Sequence, residues 1–424
     1  MTAQRKGHRM NLQLAKAVIA VFQDDSAEHL RGRFAPFVNR DWVRSKVWLH
    51  TSGLALYFLA RARTLGIDDV MPVWMLQELE SNHTENCVRT QYLFDEFVKI
   101  NVEFQRAKLS YANLKGFTLS PRSCPDPTYR YQHDLDFLVS RRDAERCRQA
   151  LQRQGYQLAA IFHDTLEFRA GPTEVSSMRD LYKARAQRSL EVHLTSTQEQ
   201  SESQRVGDRL SRLQLQVWNG FEFPALSECD KLLGHALHLF KHFQTEWTRT
   251  AWMLEYATAI HSHRNDESFW KETVAAIDVA PETKIGIGVA SLITSRTFGI
   301  VPPAAFAACT VDAMTARVRL WVDRYQDDVV FLEIPGSKLY LLLQDVLLQD
   351  HQDWQSQRRR KLFPSRLPPR TILTAQSNDL WLRAKTMFAR VCYICARLRF
   401  HVTEGIRYKI EATRWKKFVA DSQV

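Results

Sequence analysis

The stretch LKGFTLSPRSCPDPTYRYQHDLDFLV, from Leu114 to Val139, sets two aspartates one residue apart at the head of an apolar run. DLDFLV reads as a β-strand, and strand alternation puts Asp134 and Asp136 on one face, with Leu135, Phe137 and Val139 on the other. An unpaired carboxylate in a core is costly, and two together are worse unless a cation holds them. Carboxylates at this spacing can share one divalent cation or hold two. Magnesium suits such a site, because it takes one or two carboxylates and leaves the rest of its shell to phosphates. A third carboxylate is expected on a neighbouring strand, and LEVHL supplies Glu191, with His193 on the same face. The similar pairs Glu78/Glu80 and Asp143/Glu145 fall in helical patterns and read as solvated surface.

Upstream, KLSYANL is a strand candidate closed by the Lys115–Gly116 turn, where phosphate can approach bare backbone. Downstream, SRRDAERCRQALQRQGY predicts an amphipathic helix stopped by Gly155, and LEFRAG and RSLEVHLTST predict two more strands. Together they make a mixed α/β unit over residues 106–200. Residues 1–105 read as helical: DWVRSKVWLHTSGLALYFLARARTLG as one helix ending at Gly66, NCVRTQYLFDEFVKINVEFQRAK as another. Helical patterns return from Ser201 and define a region over 201–350. There His235, His238 and His242 fall on one helical stripe. No cysteine or carboxylate at matching spacing completes a zinc site, so His238 and Lys241 are expected to line a cleft between the α/β unit and the helices. A charged, proline-containing linker (351–370) and a basic helical tail (371–424) complete the chain. The fold class is α+β: a small mixed β-sheet core, flanked by N-terminal helices and a large C-terminal helical region.

The 424 residues suffice for two or three domains. A hydrophobic content of 45% with 25% charged residues excludes a disordered or collagen-like chain. Seven cysteines, an odd number without framework spacing, point to a reducing compartment. Cys392 and Cys395 have C-x-x-C spacing but no second pair, and they lie in a helical pattern. The first residues do not read as a secretory signal. IGIGVASLITSRTFGIVPPAAFAACTV is interrupted by Arg296 and Pro302–Pro303, so it reads as two packed helices rather than a membrane span. A cytoplasmic chain is expected. The net charge of +11 is uneven: from Gln355 onward there are 16 Lys and Arg against 4 Asp and Glu, leaving 42 against 43 elsewhere. In that tail the arginines alternate with Trp381, Phe388, Tyr393, Phe400, Tyr408 and Trp415. The pattern fits a helix that packs its aromatics and snorkels its arginines, a nucleic-acid contact, or an acidic or anionic membrane surface.

In this order NLKGFTL, YRYQHDLDFLV, LQRQGYQ, LEFRAG and SLEVHL resemble the nucleotidyltransferase superfamily with the DNA polymerase beta-like fold. More narrowly, they are similar to the bacterial family of uncharacterised nucleotidyltransferases. The resemblance rests on Lys115–Gly116, an Arg four residues before the D-hydrophobic-D strand (Arg130), Asp134 and Asp136, Gly155–Tyr156, and Glu191 with His193. It spans Leu109 to Thr195 and continues more weakly into LLGHALHLFKHFQTEWTRTAWMLEYA. It implies a Mg2+-dependent enzyme that moves a nucleoside monophosphate from ATP or another nucleoside triphosphate to an acceptor hydroxyl, releasing pyrophosphate. The acceptor class (protein, RNA, peptide, saccharide or small molecule) stays open. By resemblance Asp134, Asp136 and Glu191 would hold two Mg2+ ions, with Mn2+ as the substitute, and Glu191 would take the acceptor's proton. Lys115, Gly116 and Arg130 would face phosphate, and His238 and Lys241 phosphate or acceptor. Arg130 has a second reading, as the partner of a helix acid. Phe117 departs from the pattern of the broader superfamily, which usually has Ser or Gly after the first glycine. That departure keeps two alternatives open: a D-x-D transferase using a nucleotide sugar, and an inactive relative acting as a binding or scaffold protein.

Overall fold

The computed structural model describes residues 10–172, 180–195, 209–348, 352–364 and 380–422. One seven-stranded mixed sheet lies at its centre. Its strands are β1 (Tyr111–Leu114), β2 (Leu135–Val139), β3 (Gln157–Phe162), β4 (Thr165–Ala170), β5 (Arg188–Leu194), β6 (Leu213–Trp218) and β7 (Phe221–Leu226), in spatial order β3-β4-β5-β2-β1-β7-β6. The pairs β2–β5 and β1–β7 are parallel and the rest antiparallel. Five helices precede the sheet: α1 (Leu12–Ala20), α2 (Ala27–Phe34), α3 (Asn39–Thr51), α4 (Ala55–Thr64) and the 34-residue α5 (Val73–Arg106). Helix α6 (Ala144–Arg153) connects β2 to β3. The strand alternation is realised: Leu135, Phe137 and Val139 join Leu190 and Val192 in a core closed by Phe97 and Phe104 of α5 and Leu151 of α6. The opposite face carries Asp136 together with the buried Ala112 and Leu138.

After the sheet come α7 (Glu228–Phe243), α8 (Thr250–Ser262), α9 (Glu267–Val279), α10 (Lys284–Phe298), α11 (Ala304–Cys309), α12 (Ala316–Val330), α13 (Tyr340–Leu348), α14 (Trp354–Leu362) and the 42-residue α15 (Leu380–Asp421). They share one core with α1–α4, running from Leu14 and Phe34 through Met253 and Trp321 to Trp415. Among the described residues no helix is long and apolar enough to cross a membrane.

Five expectations need revision. The helix read through to Gly66 breaks at Gly53 (φ +78°), where Ser52 O accepts the Ala251 N–H at 2.9 Å and a Cβ would meet the Ala251 side chain. Gly66 does terminate α4, with φ +64°. KLSYANL is strand only from Tyr111, because Lys108 turns at φ +50°. The strand β3 was not foreseen. Nor was the hairpin β6–β7, which stands where helices were expected after Ser201; residues 196–208 lie outside the described part. Asn219 and Gly220 both have positive φ, as a two-residue hairpin turn requires. Within the expected linker Trp354–Leu362 is helical, and its remainder from residue 365 lies outside the described residues.

Candidate active site

Register brings the acidic residues together. Asp136 pairs with Glu191 across the parallel β2–β5 ladder, and Leu138 pairs with His193. Side chains two apart share a face, so Asp136, Glu191 and His193 converge, with one potential ligand atom from each within 4.8 Å of the others. His193 Nε2 lies 3.3 Å from Asp136 Oδ1 and 3.5 Å from Glu191 Oε2, and its Nδ1 lies 3.1 Å from Thr165 Oγ1. Asp134, just before β2, is not part of that trio.

The turn after β1 aims the first cation. Lys115 and Gly116 have φ of +49° and +51°, and a Cβ on Gly116 would lie 2.5 Å from the Gln132 amide. Only glycine fits there. Bent this way, Lys115 donates from Nζ to Asp136 Oδ1 at 2.8 Å. Burial opposes charge on Asp136, but Lys115 and His193 outweigh it and hold the carboxyl well below the usual range. Asp134 goes the other way: burial first, then the charge of Asp136, raise its carboxyl to about 6. Burial likewise opposes the Lys115 ammonium, yet the carboxylates raise it above the ordinary lysine value. The two acids are thus pushed apart, with Lys115 as the cation that meets Asp136. Oxygen donors from carboxylates, with one imidazole beside them, fit magnesium or manganese rather than a soft metal.

Beside Lys115 lies a cleft of about 110 Å³ whose walls include Asn113, Arg130, His235, His238 and Trp252. Arg130 reaches this wall while its Nε donates to Glu255 Oε1 of α8 at 2.9 Å, an acid that also accepts the Tyr57 hydroxyl. His238 packs its ring against His242 and Trp252, at 4.5 and 5.0 Å between centroids. Burial, then Lys115, push its pKa well below the ordinary imidazole value, so it is neutral. Lys241 is exposed and does not line this cleft. Phe117 points away from the cleft into the core, with its ring centroid 5.0 Å from Phe97 and 4.9 Å from Trp218. Thr118 lines the cleft in its stead.

Two further cations were missed. Arg249, in the turn before α8, stacks 4.1 Å over Tyr131 and donates to the Tyr131 hydroxyl at 2.6 Å, while its buried Nε has no hydrogen-bond partner among the described residues. Arg89 is buried, and burial pulls it down to about 10; it donates to the carbonyls of Leu181 and Gln132 and lies 2.8 Å from His133 Nδ1. Burial and then these two arginines drive His133 down to about 2. The sequence signal for Arg249 was a lone arginine between Trp247 and Trp252 in a helix-to-helix turn. Arg89, on a helix face with no such context, gave none.

A family model described as uncharacterised nucleotidyltransferase matches residues 39–281, more than half of the chain. Among solved structures, an antigenic nucleotidyltransferase-like protein from Paracoccidioides brasiliensis is 13% identical, with a TM-score of 0.29. That match covers 52% of this chain and 94% of the other. No curated protein matches the sequence. On the family match, the chain belongs to the uncharacterised nucleotidyltransferases.

Proposed function

We propose that the chain transfers a nucleoside monophosphate from a nucleoside triphosphate to an acceptor hydroxyl, at the face formed by Asp134, Asp136 and Glu191. The observation that carries this reading is the convergence of Asp136, Glu191 and His193 within 4.8 Å beside a lysine-bearing turn. The acceptor oxygen forms a bond to the α-phosphorus, the bond from that phosphorus to the bridging oxygen breaks, and pyrophosphate leaves. Asp134, Asp136 and Glu191 are the residues that would hold divalent cations, which when bound supply compensation for negative charge on the transferred and departing phosphates.

The chain's own groups do the rest. Glu191, half-exposed beside Asp136, is placed to receive the acceptor's proton. Lys115 keeps Asp136 ionised, and with the Gly116 backbone it faces the phosphates. Arg130, anchored through Nε by Glu255, contributes to the cleft wall as a fixed cation. His238, being neutral, offers a hydrogen bond rather than a charge. Lys241, exposed beyond the cleft, is assigned to the outer edge of the phosphates or to the acceptor.

The test is release of labelled pyrophosphate and transfer of α-phosphate label from ATP and the other triphosphates, with Mg2+ or Mn2+ present. Asp136→Asn should lower transfer by about a hundredfold to a thousandfold, the scale of losing a charge-stabilising group, and should keep a cooperative melt at a lower temperature, because Lys115 loses its ionised partner. Activity equal to that of the native chain would remove Asp136 from the site. Transfer from a nucleotide sugar alone would assign the same face to the alternative chemistry.

A further inference from the structure

From Leu380 to Asp421 the basic tail is one long helix with two unlike faces. Its inner face is anchored: Phe400, Tyr408 and Trp415 are buried, the Tyr408 hydroxyl donates to Asp345 at 2.6 Å, and Arg397 pairs with Glu246 at 2.6 Å. On the opposite side Val391, Leu398, Val402, Ile406 and Ile410 are exposed; Leu398 is 59% and Ile406 57% accessible. At the helical repeat these residues, with Phe388 and Cys395, fall in an arc of roughly 120°, an apolar stripe about 33 Å long that Arg399 and Lys409 interrupt.

Charge decides what can cover it. From Leu380 to Asp421 the helix has 10 Lys and Arg against 3 Asp and Glu. Glu404 accepts the Lys338 N–H and faces Arg407, and Glu411 pairs with Arg414 and Arg324, so those acids belong to the anchored side. Arg399 and Lys409 sit exposed within or beside the stripe, and Lys416 and Lys417 extend it. A second copy of this helix would bring like charges together. Nucleic acid would want exposed rings to stack on, yet three of the tail's aromatics face inward and the outward stripe is mainly aliphatic. Aliphatic residues interspersed with long-stemmed cations are what an anionic bilayer surface accepts: apolar side chains enter the acyl boundary while the cations snorkel to headgroup phosphates. We propose that the outer face of α15 lies on an anionic lipid surface, binding the protein peripherally to a membrane.

Co-sedimentation of the full-length chain with phosphatidylcholine vesicles, with and without phosphatidylglycerol, tests this. The native chain should bind only the vesicles containing phosphatidylglycerol, and less well as salt is raised. A Leu398→Ser, Val402→Ser, Ile406→Ser variant should lose at least about tenfold in affinity, and an Arg399→Gln, Lys409→Gln, Lys416→Gln variant a similar amount. The substituted side chains are exposed, so both variants should melt as the native chain does. The proposal is overturned if the native chain ignores the anionic vesicles, or binds both kinds equally, or if the triple-serine variant binds like the native chain. It also fails if single-stranded RNA is bound and vesicles are not, or if the native chain dimerises without lipid and the triple-serine variant does not.

Discussion

Phe117 shows how a residue that breaks a superfamily pattern can leave the site alone. Its ring is 1% exposed and packs against Phe94, Phe97 and Trp218, so the departure is paid on the core side of the sheet and the cleft keeps Thr118. Restoring the pattern with Phe117→Ser should therefore harm the protein. Removing a buried aromatic ring costs about 3 kcal/mol or more, and a buried hydroxyl adds to it. Chemical denaturation should show that loss with no gain in nucleotide binding; unchanged stability together with tighter binding would mean that the ring does obstruct the phosphates. At this scale the sequence showed what alternation governs: Asp136, Glu191 and His193 share a face because strand side chains repeat every second residue. It left Arg130 with two readings, since its partner Glu255 is 125 positions away. Arg89 lay beyond reach for the same reason: what surrounds a buried arginine is decided by tertiary packing, not by its neighbours in sequence.

The elements divide along similar lines. Strands β2, β4 and β5 could be read because their apolar residues face the core. In β6 the pattern is inverted: Leu213, Leu215 and Val217 point outward, while Gln216 donates inward to the carbonyls of Thr118 and Ser120. Asn219–Gly220 was the available hairpin signal, and the strong helical periodicity of α7 overshadowed it. Helix α7 itself carries a consequence for pH. Burial pushes His235, His238 and His242 below the ordinary imidazole range, His235 to about 3 and His242 to about 4. Unfolded, each takes a proton near pH 6.5; folded, each stays neutral to much lower pH. Between those limits the unfolded state holds more protons, so stability falls as pH falls. It should be level above about pH 6.5, then drop by at most about 1.4 kcal/mol per pH unit for each histidine. The carboxyls of Glu78 and Glu228, held down to about 2, contribute stability that is lost only below their unfolded values. The window from about pH 6.5 to 4.5 thus belongs to these histidines together with the buried His133, and Asp134, whose raised carboxyl takes up a proton in the folded state, opposes them in part of it. Urea unfolding across that window should flatten for His242→Phe; an unaltered slope would move the effect elsewhere.

Across the whole molecule, the helical regions that precede and follow the sheet in sequence share a core. Periodicity can mark a helix, but it is silent on which helices hundreds of residues apart will meet, so this joining was not legible. The family match begins at residue 39, yet α1 and α2 are built into the same core as the rest. Leu14, Val18, Ile19, Leu30 and Phe34 are all buried, and Phe34 lies 5.9 Å from both Trp42 and Phe58. Gln23 Nε2 donates to the Thr297 carbonyl at the end of α10 at 2.6 Å, while the exposed Lys16–Asp327 pair adds little. Each large buried side chain is worth about 1.5–3 kcal/mol, so losing five, about 7.5–15 kcal/mol, is comparable with the net stability of about 5–15 kcal/mol typical of a domain. A chain lacking residues 1–38 should then show no cooperative melt and should bind a dye that reports exposed apolar surface, even though every candidate site residue is retained. If it instead melts cooperatively near the native temperature, α1 and α2 are an accessory layer, and the core that positions α7 and α8 over the cleft is complete without them.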